Sequence, residues 1–246
     1  FNPLTLVSVI LTMTAGTLLV MWIGELITEY GVGNGISLLI FAGIVGRLPV
    51  VVFQTASTVT AESISSMILF GGVALVVIFG AVFMNEAVRR IPVHYARRVR
   101  GNKIYGGNVS YLPLRVNQAG VIPIIFAVSL VLLPSLLGGF LQQLANPAMA
   151  NLGRFMTGLF NPNSISYNVI YFLLVIGFTY FYTAITFNPG KIASEIQKHG
   201  GFIPGIRPGT PTSSYLNYIL TRITLAGALF LGILAVFPSL ARSVSG

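Results

Sequence analysis

The stretch NVIYFLLVIGFTYFYTAITF, residues 168–187, is twenty residues long and contains no charged side chain. About twenty such residues can cross the roughly 30 Å hydrocarbon core of a bilayer as one helix, which satisfies its own backbone hydrogen bonds there. The stretch NPGKIASEIQKHGGFIPGIRPGTPT follows at once, at residues 188–212, and is rich in glycine, proline and basic residues. Together the two stretches predict a membrane helix that leads into a structured basic loop.

Five further runs are also predominantly apolar and about twenty residues long, and two of them contain an arginine, Arg47 or Arg222. The six predicted transmembrane helices are residues 4–24, 35–53, 67–85, 119–140, 168–187 and 215–241. Arg47 and Pro49 interrupt the second run, so we expect that helix to be kinked or flanked by protein. Of all residues 54% are hydrophobic and 8% are charged, whereas soluble domains have roughly 25% charged residues. The predicted fold class is all-α, a polytopic helical membrane protein.

Positive charge is concentrated in two connections, residues 87–118 and 188–216, which hold ten of the fourteen Lys and Arg residues. The connections on the opposite side and the C-terminal tail hold two, Arg154 and Arg242. By the positive-inside rule we expect the two basic loops to be cytoplasmic and both ends of the chain to lie outside. A net charge of +9 suits contact with anionic lipid, RNA or an acidic protein.

Both basic loops are expected to be folded. In the first, Ile104-Tyr105 and residues 109–114 flank the tight-turn residues 106–108, which predicts a hairpin across that turn. In the second, Pro-Gly pairs precede and follow Arg207, so this arginine should sit at a defined loop tip. A docking role and a merely structural solvated charge are equally compatible with this position.

The connection at residues 141–160, on the side opposite the basic loops, has apolar residues near helical spacing. This pattern predicts a short helix lying on the outer surface. Two apolar pairs, Ile36 with Ile40 and Val121 with Ile125, are each four residues apart and share a helix face. Several such side chains meeting at one level would make a constriction that excludes water and ions, although ordinary packed or lipid-facing isoleucines explain the same pattern.

Residue constellations for covalent chemistry are absent from the sequence. There is no cysteine, His94 and His199 lack metal-ligand spacing, and no GK[ST] phosphate loop occurs. The apolar runs contain neither paired carboxylates nor a Ser with a nearby His, so an intramembrane hydrolase is not favoured. We expect no enzymatic activity and no cofactor. The alternative function is part of a small-solute secondary transporter, which would require a polar or charged cluster within the spans.

Four ordered segments resemble one protein family: GELITEYGVGNGISLLIFAGIV (24–45), RRIPVHYARR (89–98), YLPLRVNQAGVIPIIFA (111–127) and FNPGKIASEIQKHGGFIPGIRPG (187–209). They resemble SecY, the channel subunit of the bacterial Sec translocon, and the resemblance covers about residues 11–240. The family has ten spans, and residues 1–246 resemble the fourth to the ninth within one channel domain. Because the chain begins with Phe1, we expect an internal piece without the first three spans, the plug helix and the last span.

The resemblance implies functions for individual residues. The family's apolar pore ring matches Ile36, Ile40 and Ile125. Its lateral gate, through which signal sequences leave toward lipid, matches residues 117–129, including Asn117, Val121, Phe126 and Ser129. The residues that match its docking surface for the SecA motor ATPase or the ribosome are Arg97, Arg98, Arg100, Lys103 and Arg207.

The resemblance also implies partners and a location. SecE, and often SecG, would pack on the channel, and ribosomal RNA or SecA would bind the cytoplasmic loops. The substrate would be a nascent or secretory polypeptide with a signal sequence, which crosses the bacterial plasma membrane or enters its lipid sideways.

Overall fold

The computed structural model describes residues 3–31, 33–57, 64–95, 98–100, 103–105, 109–144 and 146–245. Within these ranges the elements are α1 Pro3–Tyr30, α2 Gly35–Val45, α3 Leu48–Ser57, α4 Ile64–Glu86, β1 Val88–Tyr95, β2 Arg98–Arg100, β3 Lys103–Tyr105, β4 Val109–Arg115, α5 Ile122–Gln142, α6 Pro147–Leu159, α7 Ile165–Thr186, α8 Pro189–Lys198, β5 Gly201–Phe202 and α9 Thr210–Ser245. Packing divides the chain into two units, Phe1–Gly72 and Val73–Gly246.

Six helical segments among the described residues are long and apolar enough to cross a membrane. They are Pro3–Tyr30, Gly35–Thr55, Met67–Glu86, Ile122–Gln142, Ile165–Lys198 and Thr210–Ala241. The predicted all-α membrane fold class is therefore confirmed. Helix α5 begins at Ile122, later than the predicted span, because Gly120 takes a φ of +65° and Pro123 stands in the first helical turn.

In the first unit, the second apolar run is divided into α2 and α3. The Asn34 side chain begins α2 by accepting a hydrogen bond from the Ser37 backbone nitrogen at 3.0 Å. The helix ends at Gly46, and α3 begins at Leu48 with Pro49 in its first turn. Proline is tolerated there because the first turn of a helix has no use for its missing N–H. The interruption expected at Arg47 and Pro49 is thus present as a break between two helices.

In the second unit, the two basic loops share one antiparallel sheet with strand order β4-β1-β5. Alternate residues of the hairpin, Ile91 and Val93 of β1 and Leu114 of β4, are buried. They pack in one cluster with Ile196 of α8 and Leu216 of α9. The alternation of buried and exposed residues fixes the strand register, because a slip by one residue would expose this face.

The predicted pairing of the first basic loop is wrong. Residues 109–115 pair with β1, and residues 103–105 pair instead with β2. The longer pairing brings two alternating apolar strand faces together over the core, which the two-residue segment Ile104-Tyr105 cannot provide. The predicted turn at residues 106–108 lies outside the described residues.

Two short helices lie in the connections. Helix α6, Pro147–Leu159, confirms the short helix expected within residues 141–160, and its first turn is capped by the Asn146 side chain. Helix α8, Pro189–Lys198, lies in the second basic loop and was not predicted from the sequence. Its buried Ala193 and Ile196 face the base of α9 and the sheet.

The remaining core of the second unit is a bundle of α5, α7 and α9. Ala127 and Val131 of α5 are fully buried against Tyr171 and Val175 of α7, with Leu231 of α9 in the same cluster. One face of α5 is therefore committed to the bundle. Its last turns also contact α6, and the face that carries Val121, Ile125 and Ser129 is exposed.

Candidate functional site

Two of the predicted pore residues, Ile36 and Ile40, lie on one face of α2 in the first unit. Both are about half exposed, at 49% and 50%. They border a groove of about 310 Å³ whose lining residues are Thr17, Val20, Met21, Ile36, Leu39 and Ile40. The Thr17 hydroxyl donates within α1 to the Thr14 carbonyl oxygen at 2.8 Å, so the groove presents mainly aliphatic surface.

A close contact between two glycines holds the α1–α2 elbow. The Thr28 hydroxyl accepts a hydrogen bond from the Gly35 backbone nitrogen and donates one to the Gly24 carbonyl oxygen, both at 2.8 Å. A Cβ on Gly35 would overlap the Gly24 carbonyl oxygen, and a Cβ on Gly24 would lie 2.8 Å from Ile36 Cγ1. Because the backbones of α1 and α2 meet directly here, the elbow determines the position of Ile36 on α2 relative to α1.

The third predicted pore residue, Ile125, lies on the free face of α5 in the second unit. Val121, Ile125 and Ser129 are all exposed and are spaced four residues apart, so they form one stripe along the helix. Two predicted gate residues thus share a face with a predicted pore residue. Ile36 and Ile40 belong to the first unit and Ile125 to the second, so the ring they would form together stays a prediction.

The other gate residues lie beside this stripe. The ring of Phe126 stacks on Phe178 of α7, with centroids 5.9 Å apart and planes at 26°. The Ser129 hydroxyl donates to the Ile125 carbonyl oxygen at 2.8 Å, so its hydrogen is used within the helix. The exposed stripe of α5 is therefore apolar at Val121 and Ile125. At Ser129 it presents a hydroxyl oxygen, which can still accept a hydrogen bond.

A polar cavity of about 380 Å³ lies at the start of α5. Its lining residues are Asn85, Arg115, Asn117, Gln118, Ala119, Gly120, Ile122, Tyr182 and Thr186. The Asn117 side-chain nitrogen donates to Asn85 Oδ1 at 3.5 Å. Asn117 Oδ1 and Gln118 Oε1 are buried without a hydrogen-bond partner among the described residues. Leaving such oxygens unpaired is costly, so the cavity has unused capacity to accept hydrogen bonds.

Of the residues that line this cavity, the resemblance singled out Asn117 as a gate residue and included Gln118 in the range 117–129, whereas Asn85 and Tyr182 were missed. The adjacent amides of Asn117 and Gln118, set between the last basic residue of the loop and the apolar run, were the available signal. Asn85 and Tyr182 are distant in sequence, and only the fold brings them to the cavity.

The shared sheet holds several basic residues of the first loop. Arg89, Arg90 and Arg115 are exposed on β1 and β4. The rings of His94 and Phe202, paired across β1 and β5, have centroids 6.0 Å apart and join the two loops. Of the predicted docking residues, Arg97 lies outside the described residues, and Arg98, Arg100 and Lys103 are described by the backbone of β2 and β3 alone.

Arg207 is exposed on a loop whose backbone is closely determined. Gly205 and Gly209 have φ values of +81° and +97°, which favour glycine. Thr212 is buried, with 1% of its surface exposed. Its hydroxyl donates a hydrogen bond to the Arg207 carbonyl oxygen at 2.8 Å. The backbone of Arg207 is therefore anchored to the first turn of α9 while its guanidinium faces outward.

The chain is similar to known proteins in both sequence and structure. The chain is 50% identical over 250 residues to the protein translocase subunit SecY of Mycobacterium bovis, covering 96% of the chain and 53% of that protein. It is 45% identical over 248 residues to the protein translocase subunit SecY of Corynebacterium glutamicum, covering 97% and 54%. The chain thus spans about half the length of these curated relatives.

Two solved structures share the fold. One, from work on the plug domain of the SecY protein, gives a TM-score of 0.53 at 20% identity over 100% of this chain and 66% of that one. The other, described as a protein conducting channel, gives a TM-score of 0.53 at 19% identity over 100% and 65%. The sequence model of one family, SecY, matches residues 2–246. The resemblance of the four quoted segments is confirmed over nearly the whole chain, which belongs to the SecY family.

Proposed function

We propose that the protein containing this chain is the pore-forming subunit of the Sec translocon, conducting unfolded polypeptides across the membrane and releasing membrane segments sideways into lipid. The family match over residues 2–246 carries the proposal. The relatives at 45% to 50% identity are named as translocase subunits. No covalent step is involved, and energy would come from a bound motor ATPase, from translation or from the proton motive force.

Ile36, Ile40 and Ile125 are assigned to the pore ring. Each is about half exposed and aliphatic. An aliphatic ring makes no fixed hydrogen bond to a passing polypeptide, so it can seal around many sequences, whereas a polar ring would bind some and leak ions. The contact between Gly24 and Gly35 supports this assignment, because it gives Ile36 a fixed position on the elbow.

The free face of α5 is assigned to the lateral gate. Val121 and Ser129 lie along it, Phe126 lies beside it against Phe178 of α7, and Asn117 precedes α5 beside the polar cavity. A gate needs a helix that is held on one side and can exchange partners on the other. The packed Ala127–Val131 side and the unpaired oxygen of Asn117 both suit that requirement.

The shared sheet and the Arg207 loop are assigned to docking of SecA or of the ribosome. Each cation near an anionic surface contributes about 1 kcal/mol, and binding through several of them weakens steeply with salt. Arg97, Arg98, Arg100 and Lys103 belong to the same connection as the exposed Arg89 and Arg90. The positive-inside rule favours a cytoplasmic position for this face, and the similarity to bacterial translocase subunits favours the bacterial plasma membrane.

SecE and SecG are assigned as partner subunits. Many large apolar side chains of the candidate spans are exposed, including most of those on α1 and α4. Lipid, the parts of the longer relatives that this chain does not match, and small membrane subunits would together cover such a surface.

Site-specific photocrosslinking tests the channel. A photoreactive side chain is placed at Ile40 or Ile125 of the full-length subunit, and a secretory chain is stalled during export. The matched controls are Leu38 and Leu130, which are 48% and 43% exposed against 50% and 46% for the two isoleucines. At 100° per residue they point about 160° and 140° away on the same helices.

Adducts at Ile40 and Ile125, with few at Leu38 and Leu130, are the expected result. Equal yields at all four positions would assign the isoleucines to ordinary lipid-facing surface. That outcome would also revive the small-solute transporter, for which a solute-binding measurement would be the next step.

A further inference from the structure

Helix α6 is joined to the last turns of α5 through direct glycine contact. A Cβ on Gly138 would lie 2.9 Å from the Gly153 carbonyl oxygen, and a Cβ on Gly153 would lie 2.6 Å from the Gly138 carbonyl oxygen. Both glycines are buried. Neither helix can accept a side chain at this point, so the two backbones are in contact.

Side-chain hydrogen bonds reinforce the joint. Gln142, the last residue of α5, donates through Nε2 to Thr157 Oγ1 at 2.7 Å and to the Gly153 carbonyl oxygen at 3.2 Å. Thr157 Oγ1 donates in turn to the Gly153 carbonyl oxygen at 3.0 Å. A long polar side chain, a hydroxyl and a backbone carbonyl thus form one connected group between the helices.

The exposed surface of α6 has an apolar side and a polar side. Leu152 and Phe155 are exposed and apolar, with Phe155 at 65%. Asn151 and Arg154 are exposed and polar. At 100° per residue the apolar pair is centred roughly 100° from the polar pair, and both lie away from the packed Gly153. An amphipathic helix of this kind lies in the plane of a membrane interface.

The joint also sets the depth of α6. Gly138 lies four residues before the end of α5, which corresponds to about 6 Å along the helix axis. Helix α6 therefore crosses α5 about 6 Å inside the end of a candidate span, within the roughly 5–10 Å typical of interfacial helices. This end of α5 is opposite to the end that follows the basic sheet.

We propose that α6 is an interfacial helix that binds anionic lipid, with Leu152 and Phe155 in the acyl boundary and Arg154 on the headgroups, and that the Gly138–Gly153 joint makes α5 and α6 move as one body. Arg154 is an exposed cation beside an apolar stripe, and at this depth it is complementary to the negative charge of an anionic bilayer surface. The inference requires only that the chain is embedded in a membrane. It does not depend on whether the protein conducts polypeptides.

Lipid contact is tested in a cysteine-free full-length subunit, assembled with its partner subunits in nanodiscs. An environment-sensitive fluorophore is attached through Leu152→Cys, or through Asn151→Cys as the control, which points about 100° away on the same helix. A nitroxide carried on the upper part of the lipid acyl chain should quench the fluorophore at position 152 and leave that at 151 largely unquenched. Equal, weak quenching at both positions would mean that protein covers the stripe, and would overturn the proposal.

The headgroup preference is tested with Arg154→Gln. Nitroxide-labelled phosphatidylglycerol should quench the fluorophore at position 152 with roughly fivefold higher apparent affinity than labelled phosphatidylcholine, as one cation near the lipid surface allows. Arg154→Gln should abolish this preference while leaving quenching by phosphatidylcholine unchanged. An unaltered preference would refute the assignment of Arg154.

The rigid joint is tested by measuring the distance between spin labels introduced as Leu136→Cys and Phe155→Cys. Gly153→Ala should broaden the narrow distance distribution, whereas Gly158→Ala, in the same helix with nothing within 4 Å of the new Cβ, should not. Thr157→Val gives a second test that adds no volume, and Thr157→Ser should retain the native distribution. Narrow distributions in both Gly153→Ala and Thr157→Val would overturn the one-body joint.

Discussion

Replacing Gly35 by alanine should separate α1 from α2. The new methyl group would overlap the Gly24 carbonyl oxygen, and it would also lie 2.8 Å from Ile27 Cβ and 3.0 Å from the Gly24 carbonyl carbon. Two of these three neighbours are backbone atoms, which cannot rotate away as a flexible side chain could. The helices must therefore shift apart, and Ile36 shifts with them.

The expected cost follows from the contacts that are lost. Overpacking of this kind costs about 1–3 kcal/mol. The shift also breaks the hydrogen bond between the Gly35 nitrogen and Thr28 Oγ1, worth about 0.5–1.5 kcal/mol. Alanine recovers up to about 1 kcal/mol through its higher helix propensity. We expect a net loss of about 2 kcal/mol in the stability of the elbow, with the helices themselves retained.

Gly43→Ala is the matched control, because Gly43 lies in the same helix and a Cβ there meets nothing within 4 Å. Both variants are made in the full-length subunit with its partner subunits, and unfolding is followed by heat and by denaturing detergent. Gly35→Ala should unfold at the lower midpoint and Gly43→Ala at or above the native one. Equal midpoints for the two variants would refute the close contact as the element that fixes Ile36.

Three further predictions concern the proposed channel. Arg207→Glu should impair motor-driven export, measured in inverted vesicles, while membrane insertion of the subunit stays normal; normal export would exclude a docking function. Thr212→Val should give a milder export defect, because the Arg207 carbonyl oxygen loses its hydroxyl donor, and Thr212→Ser should restore export if that hydrogen bond is responsible. Replacing Ile36, Ile40 and Ile125 together by asparagine should raise the resting ion conductance of reconstituted channels, and unchanged conductance would count against the ring.

Local features of the fold could be predicted from the sequence. Long apolar runs indicate membrane helices because the bilayer sets the required length. The break near Arg47 and Pro49 follows from the loss of a backbone donor, and α6 follows from apolar spacing over a single connection. Each of these features depends on residues close together in sequence, so the spacing of apolar residues and the positions of proline were sufficient to predict it.

Pairing between distant segments could not be predicted in the same way. The sheet joins β1 to β5 across more than one hundred residues, with His94 opposite Phe202, and nothing in either loop alone indicates the partner. The shorter hairpin across residues 106–108 was predicted because its turn signal is local. Tertiary packing of Ile91 and Leu114 decided the pairing instead.

Helix α8 was missed although its start carries a recognisable signal. Asn188 accepts a hydrogen bond from the Lys191 nitrogen at 3.0 Å, and Pro189 stands in the first turn. An Asn cap followed by proline is a common beginning of a helix. The abundance of glycine and proline after residue 199 indicated a loop. The predicted loop, residues 188–216, wrongly included the helical residues before that point.

The proposed docking surface and the proposed gate helix are connected by a short segment of backbone. Strand β4 ends at Arg115 and α5 begins at Ile122. Between them, the Val116 nitrogen donates to the Ala87 carbonyl oxygen at 2.9 Å, and a Cβ on Gly227 of α9 would lie 2.6 Å from the Val116 carbonyl oxygen. The connection is thus anchored at Val116, and the left-handed Gly120 is the next point at which it can turn. A partner that tilts the sheet would reach α5 through this anchor, beside the cavity where Asn117 Oδ1 accepts no hydrogen bond from the described residues. Under the proposed function, this connection would couple docking on the sheet to movement of α5 without direct contact between the docked partner and α5.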